Sequence, residues 1–193
     1  MTVSSLGSRP MTVQAFYAFT DTRPDEEKWG LFEGRPFLNV PRTYRHQLIL
    51  RNLIFGFGSE ERRRQVPWFS IPGIGVRASD VSRPQVDFMV LRDDFESRDP
   101  FGRDAEDAIV LCEIMSPETC ERDLIWKRTV YTRLPSLTHY VVVAEDAVEV
   151  LVFARSEGFA QARIISLDAM LKFPSIGVEL PLSEVYRDTG LEY

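Results

Sequence analysis

The sequence predicts an α/β domain with a central mixed β-sheet flanked by helices, and three observations carry that prediction. Apolar runs of strand length, each bounded by turn residues, stand at 86–91, 108–115, 137–144 and 148–154. Helical segments are read at 43–57 and 118–133, the first from apolar residues near helical spacing. No internal repeat or low-complexity segment points to another architecture. With 193 residues, 44% hydrophobic and 27% charged, the chain is long enough for one substantial core and has ordinary globular composition.

Each element follows in order. Met1 to Pro10 is polar, lacks the apolar centre of a signal peptide, and reads as a flexible tail before a single domain over 11–193. Residues 11–20 form a short amphipathic helix. Residues 23–34 are polar and turn-rich, and 34–40 could be a strand. In 43–57, Leu48, Leu50, Leu53, Ile54 and Phe57 stand near helical spacing, with Gly56 and Gly58 marking the helix end. Residues 66–71 read as a strand whose early Pro67 suits a sheet edge. The strand at 86–91 is followed by a long charged loop over 92–107, then by the more buried strand 108–115. Ser116-Pro117 breaks that strand and starts the helix 118–133, whose early glutamates and late arginines suit the helix dipole. Residues 137–144 and 148–154 make a hairpin turning at Glu145-Asp146. A short strand near 161–165, a helical turn at 166–171 and a tail complete the chain.

Composition narrows the chemistry. No apolar stretch approaches the roughly 20 residues that span a bilayer. Two cysteines without a Cys-x-x-Cys pair suit a reduced, cytoplasmic protein. With only two histidines, a zinc site of His and Cys is disfavoured, so a metal would have oxygen ligands, which favours Mg2+ or Mn2+. The net charge of −6 opposes a nucleic-acid partner, yet residues 92–107 alone hold seven acids against three arginines. Basic clusters such as Arg62-Arg63-Arg64 lie elsewhere.

Glu113 is the residue out of place. It interrupts an otherwise apolar buried strand, where a carboxylate loses hydration and needs a partner or a proton. Asp87 opens the preceding apolar strand. If the two strands pair antiparallel, the start of one lies beside the end of the other and the carboxylates approach. A divalent cation would remove their mutual repulsion. Asp123, Lys127 and Tyr131 follow at i, i+4 and i+8, on one side of the next helix. Lys127 could then orient an attacking water or offset charge on a phosphoryl group. Taken singly, these features read as ordinary hydrogen-bonded or ion-paired residues; their order and spacing make the case for a site.

The stretch from Arg83 to Val143 resembles the Uma-type bacterial restriction endonucleases of the PD-(D/E)XK nuclease superfamily. The residues that carry it are Arg83-Pro84-Gln85-Val86-Asp87, Glu113-Ile114-Met115-Ser116-Pro117-Glu118-Thr119, Asp123, Lys127, Tyr131, Leu134-Pro135-Ser136 and His139-Tyr140. Leu31-Phe32-Glu33-Gly34 and His46 match more loosely. The resemblance implies a restriction-endonuclease-like fold and a divalent-metal-dependent endonuclease acting on DNA. Asp87 and Glu113, with the carbonyl of Ile114, would bind Mg2+ or Mn2+; Lys127 would serve the water; Asp123, Tyr131 and Ser116 would support them. In the wider superfamily the lysine stands where Met115 stands here, and the family resembled moves it to the following helix. Two positions depart from the pattern: Gly30 replaces an early glutamate, with Glu27 and Glu33 as the candidate substitutes, and Ala144 replaces an aspartate, with Glu145 next. These departures and the acidic loop leave an alternative, a weakened or inactive nuclease fold that binds nucleic acid or protein. A third option is a hydrolase of small phosphorylated molecules. A homodimer is plausible by analogy alone.

Arg62, Arg63 and Arg64 could contact phosphate, though a solvated helix end is the commoner use of such a run. His46 reads as a structural residue, and Trp29, Trp68 and Trp126 as packing residues more than base-stacking ones.

Overall fold

The computed structural model describes residues 10–39, 42–115 and 120–191, and for residues 95 and 120–123 the backbone alone. The N-terminal tail 1–9, the Ser116-Pro117 break and Glu118 lie outside the described residues.

Helix α1 (Val13–Thr20) is capped by Thr12, whose hydroxyl accepts from the Ala15 amide. Its Val13 and Phe16 pack on Leu31 of β1 (Trp29–Phe32), which pairs antiparallel with β2 (Arg35–Leu38). The polar stretch 23–34 therefore does contain a strand. Gly30 has a local reason within it: a Cβ there would stand 2.4 Å from the Phe37 ring of β2.

Helix α2 (Tyr44–Arg64) runs beyond the two glycines expected to end it. Gly56 lies against Leu180, where a Cβ would meet Leu180 Cδ2 at 2.9 Å, so close packing outweighs the roughly 1 kcal/mol propensity cost. The helix stops at Gln65, which takes the left-handed conformation with φ 49°.

β3 (Trp68–Pro72), as expected, is an edge strand. β4 (Gly75–Val76), β5 (Phe88–Arg92), β6 (Asp104–Ala105) and β7 (Val110–Met115) follow. The charged loop 92–107 is thus not wholly irregular: it holds a short 3-10 turn at Phe95–Ser97 and β6, which pairs parallel with β4. Helix α3 (Cys120–Tyr131) leads to β8 (His139–Ala144), β9 (Val150–Ala154) and β10 (Gln161–Ile164). The main sheet has the order β10-β9-β8-β7-β5-β3. All its neighbours are antiparallel except β7 and β8, whose parallel pairing requires the crossover that α3 supplies.

The C-terminal part departs from expectation. In place of a helical turn and tail, β11 (Met170–Phe173) and β12 (Val178–Pro181) form a hairpin, followed by α4 (Leu182–Val185). Leu171, Phe173, Val178 and Leu180 bury one face of the hairpin while Lys172 and Glu179 stay outside. That face packs with α2 and α4 over Phe88, Val90, Val110, Cys112, Val141 and Val143. Asn52 of α2 ties the end of the chain down, donating to the carbonyls of Val185 and Arg187. The opposite face of the sheet, with Met89, Leu91, Leu111, Met115 and Tyr140, is covered by Val130, Tyr131 and Leu134.

Phe57 joins α2, the sheet and the hairpin: it is fully buried, with ring centroids 4.9 Å from Phe88, 5.1 Å from Phe173 and 6.2 Å from Trp68. Phe57→Ala should cost about 3–5 kcal/mol in urea unfolding followed by circular dichroism. A loss under about 1 kcal/mol would show that helix and hairpin do not share one packed layer.

Candidate active site

The site forms where the β5–β7 ladder stops. Phe88 pairs with Cys112, so the next step down the register sets Asp87 beside Glu113. The antiparallel arrangement expected from the sequence is thus present. Asp87 does not extend the strand. Its Oδ2 accepts the Ile114 amide at 2.9 Å, a donor that β5 has ceased to pair. N–H and C=O of one extended residue face the same edge, so the Ile114 carbonyl also turns toward this end of β5.

The N-terminus of α2 closes the site from one side. Thr43 caps the helix, accepting from the His46 amide at 3.1 Å and donating to Glu145 Oε2 at 2.9 Å. The cap holds His46 in the first turn, with Nε2 3.3 Å from Asp87 Oδ2. Arg42, just before the cap, places Nε at 3.0 Å and Nη2 at 2.5 Å from Asp87 Oδ1. Burial alone would raise the Asp87 pKa, but the His46 ring, then Lys127 and Arg42, outweigh it and hold the carboxyl well below the usual carboxylate range.

Helix α3 closes the other side. Lys127 Nζ stands 2.9 Å from Glu113 Oε2, and the Tyr131 hydroxyl donates to Oε1 at 2.9 Å. The Lys127 ammonium also donates to the Gln85 carbonyl at 3.3 Å. Glu113 is 2% exposed, and burial pushes its carboxyl up to about 7. The nearby Asp87 charge adds to the rise, while Lys127 and the Tyr131 O–H oppose it. Burial, and then Glu113, raise the Tyr131 pKa well above its ordinary value, which keeps that hydroxyl a donor.

The structure brings Asp87, Glu113, Ile114, Lys127 and Tyr131 together. Ser116 and the Asp123 side chain lie outside the described residues. Arg62, Arg63 and Arg64 form the last turn of α2, roughly 24 Å along the helix from His46 at 1.5 Å per residue. Of these, Arg63 pairs with Glu60, and Arg64 with Glu60 and the Gly177 carbonyl. Glu27 takes the Trp29 indole N–H at 2.7 Å. Trp68 is buried, and Trp126 stacks on Phe32 with centroids 4.7 Å apart.

Two participants lay beyond the sequence reading. The sequence marks His46 as a structural residue without naming its partner, which is Asp87. Arg42 carried none, because nothing in the local pattern shows which carboxylate a lone arginine before a helix cap will meet. Arg42 and Gln85 also share the wall of a cavity of about 480 Å3 whose lining includes Tyr17, Trp29, Arg83 and Arg103.

The donor set fits a hard divalent cation. Among the described residues no group of three His, Cys, Asp or Glu side chains is placed to hold a metal. Two carboxylates and a carbonyl on one edge are what remains, and Mg2+ is commonly held by one or two carboxylates with water completing its shell. The raised Glu113 pKa is the strain a cation between the carboxylates would relieve.

Glu113 binds its proton more tightly folded than unfolded, so its contribution to stability is complete below about 4.5 and is lost as pH rises through about 7. Asp87 runs the opposite way, its contribution vanishing as pH falls below the ordinary carboxylate range. In chelator, wild-type stability should therefore fall relative to Glu113→Gln between about pH 5 and about pH 8 in urea titrations. A constant difference between the two proteins would place that titration elsewhere.

Comparison with known proteins agrees with this architecture. A structure described as a "putative nuclease belonging to DUF820", from Anabaena variabilis, superposes with a TM-score of 0.72 at 16% identity, covering 92% of this chain and 98% of that one. At that identity the likeness establishes the nuclease-type fold. No curated protein matches the chain. The family model Uma2, described as "Putative restriction endonuclease", matches residues 13–183, and the chain belongs to that family.

Proposed function

We propose that the chain is a divalent-metal-dependent endonuclease that hydrolyses phosphodiester bonds in DNA, with Asp87, Glu113 and the Ile114 carbonyl holding Mg2+ or Mn2+. The observation that carries this reading is the meeting of Asp87 and Glu113 where the β5–β7 ladder stops, with the Lys127 ammonium 2.9 Å from Glu113. The family match and the nuclease-type fold support it.

The chemistry assigned to the residues is as follows. When bound, the cation supplies a Lewis acid for the phosphoryl oxygen and lowers the pKa of a bound water. Asp87 stays ionised, because Ile114 N–H and His46 fix one of its oxygens and neighbouring positive charge favours the anion. Glu113 is aimed by two donors from one helix face, Lys127 and Tyr131, four residues apart. Lys127 is held by the Glu113 carboxylate and the Gln85 carbonyl, so its charge is fixed at the mouth of the site. There it orients the water that attacks phosphorus and offsets the negative charge that grows on the phosphoryl oxygens as the P–O ester bond breaks. As the new P–O bond forms the attacking water gives up a proton to solvent, and the leaving oxygen takes one from solvent.

One observation favours a second reading, an inactive nuclease fold used for binding: the Arg42 guanidinium already neutralises Asp87. Calorimetry separates the two, since an inactive fold of this kind binds no Mn2+ at millimolar concentration.

Wild-type protein should nick supercoiled plasmid in Mg2+ or Mn2+ and stop in chelator. Asp87→Asn, Glu113→Gln and Lys127→Ala should each lower the rate by about 10²–10³-fold or more, while circular dichroism stays native. Cleavage at the wild-type rate by all three variants would remove the assignment.

A further inference from the structure

We infer that Arg42 is an internal counter-ion standing on Asp87 in place of the metal, and that its guanidinium must swing off Asp87 toward the adjoining cavity before a divalent cation can bind. The inference rests on the metal site proposed above.

Occupancy of the carboxylate comes first. Oδ2 of Asp87 is committed to the fold by the Ile114 amide at 2.9 Å, with His46 Nε2 at 3.3 Å. Oδ1 is the oxygen left for a ligand, and Arg42 places two N–H groups on it, from Nε at 3.0 Å and Nη2 at 2.5 Å. A carboxylate oxygen has about two acceptor sites, so both are used. A Mg2+ ion would approach that oxygen to about 2.0–2.1 Å and needs the same lone pairs. Guanidinium and cation are also like charges, so they do not share the position.

Arg42 is built to leave. Its side chain is 32% exposed, against 7% for both His46 and Asp87. It stands outside the helix, before the Thr43 cap, so its movement breaks no helical hydrogen bond. It already lines the cavity of about 480 Å3, which gives the fork somewhere to go without displacing the core. His46, by contrast, is packed into the first turn and keeps Asp87 in place when Arg42 moves. Without metal the arginine lowers the cost of burying Asp87 beside Glu113; with metal, that task passes to the cation.

Mn2+ calorimetry on wild type and Arg42→Met tests this, the methionine retaining much of the apolar stem. Arg42→Met should bind Mn2+ at least about tenfold more tightly, the equivalent of one charge-assisted hydrogen bond no longer broken on binding. Equal or weaker binding by a folded Arg42→Met overturns the inference and leaves the metal site standing. Absence of Mn2+ binding by both proteins overturns both. Should the variant fail to fold, the 15N signal of Arg42 Nε–H in wild type serves instead. It should lose its protection from exchange when Mg2+ saturates the site, and unchanged protection overturns the inference. Tighter Mn2+ binding without plasmid cleavage by either protein would uphold the inference and reject the nuclease reading.

Discussion

The Asp87 carboxylate is the point on which the rest of the arrangement depends. It ends the β5–β7 ladder by taking the Ile114 amide, which would otherwise be a buried donor without a partner. The same group draws in the N-terminus of α2 through His46 and Arg42. One side chain thus fixes where the β5–β7 ladder stops and where helix α2 begins. The cap adds a second tie, because Thr43 links His46 to Glu145 at the end of β8. The two central strands and α2 are held at one corner by polar contacts, while the apolar packing of Phe57 and its neighbours holds the other end of the helix.

Placing two acids together in a buried corner is costly unless their surroundings differ. Here they differ in kind. Asp87 meets an amide, an imidazole and a guanidinium, and its pKa falls. Glu113 meets an ammonium and a phenol, which do not overcome full burial, and its pKa rises. One acid is committed to the anion and the other is poised near neutrality. The split follows from topology: Asp87 lies at the strand mouth within reach of the α2 terminus, whereas Glu113 lies inside β7, between Leu111 and Met115 on the face covered by α3.

Much of this was legible in residue order. The strands from 86 to 154 announce themselves as apolar runs, and the odd carboxylate in one of them marks the site. The i, i+4 spacing of Lys127 and Tyr131 places both on Glu113, a relation that periodicity alone can express. What periodicity missed depends on contacts distant in sequence. β1 was hidden because Gly30 breaks the strand pattern for the sake of Phe37. α2 outruns its glycines because Gly56 must admit Leu180, 124 positions later. The β11–β12 hairpin is short and its alternation covers only a few residues. Arg42 is the clearest case, since its partner is 45 positions away and no local rule names it.

The acidic loop also changes meaning in three dimensions. From composition, residues 92–107 stood as an unbalanced block of negative charge opposing any polyanionic partner. In the fold, Asp104 pairs with buried Arg83, and Asp94 and Asp107 both pair with Arg98. Asp104 also accepts from Tyr17, so this part of the loop is bound into the wall beside α1 and is not a free acidic flap. Arg103, from the same loop, lines the cavity with Arg42 and Arg83. Net charge is therefore a poor guide to the potential at the Asp87 end of β5. There the positive groups of Arg42 and Lys127 stand directly on the two acids, and any anion approaching the mouth meets those cations together with the carboxylates they neutralise.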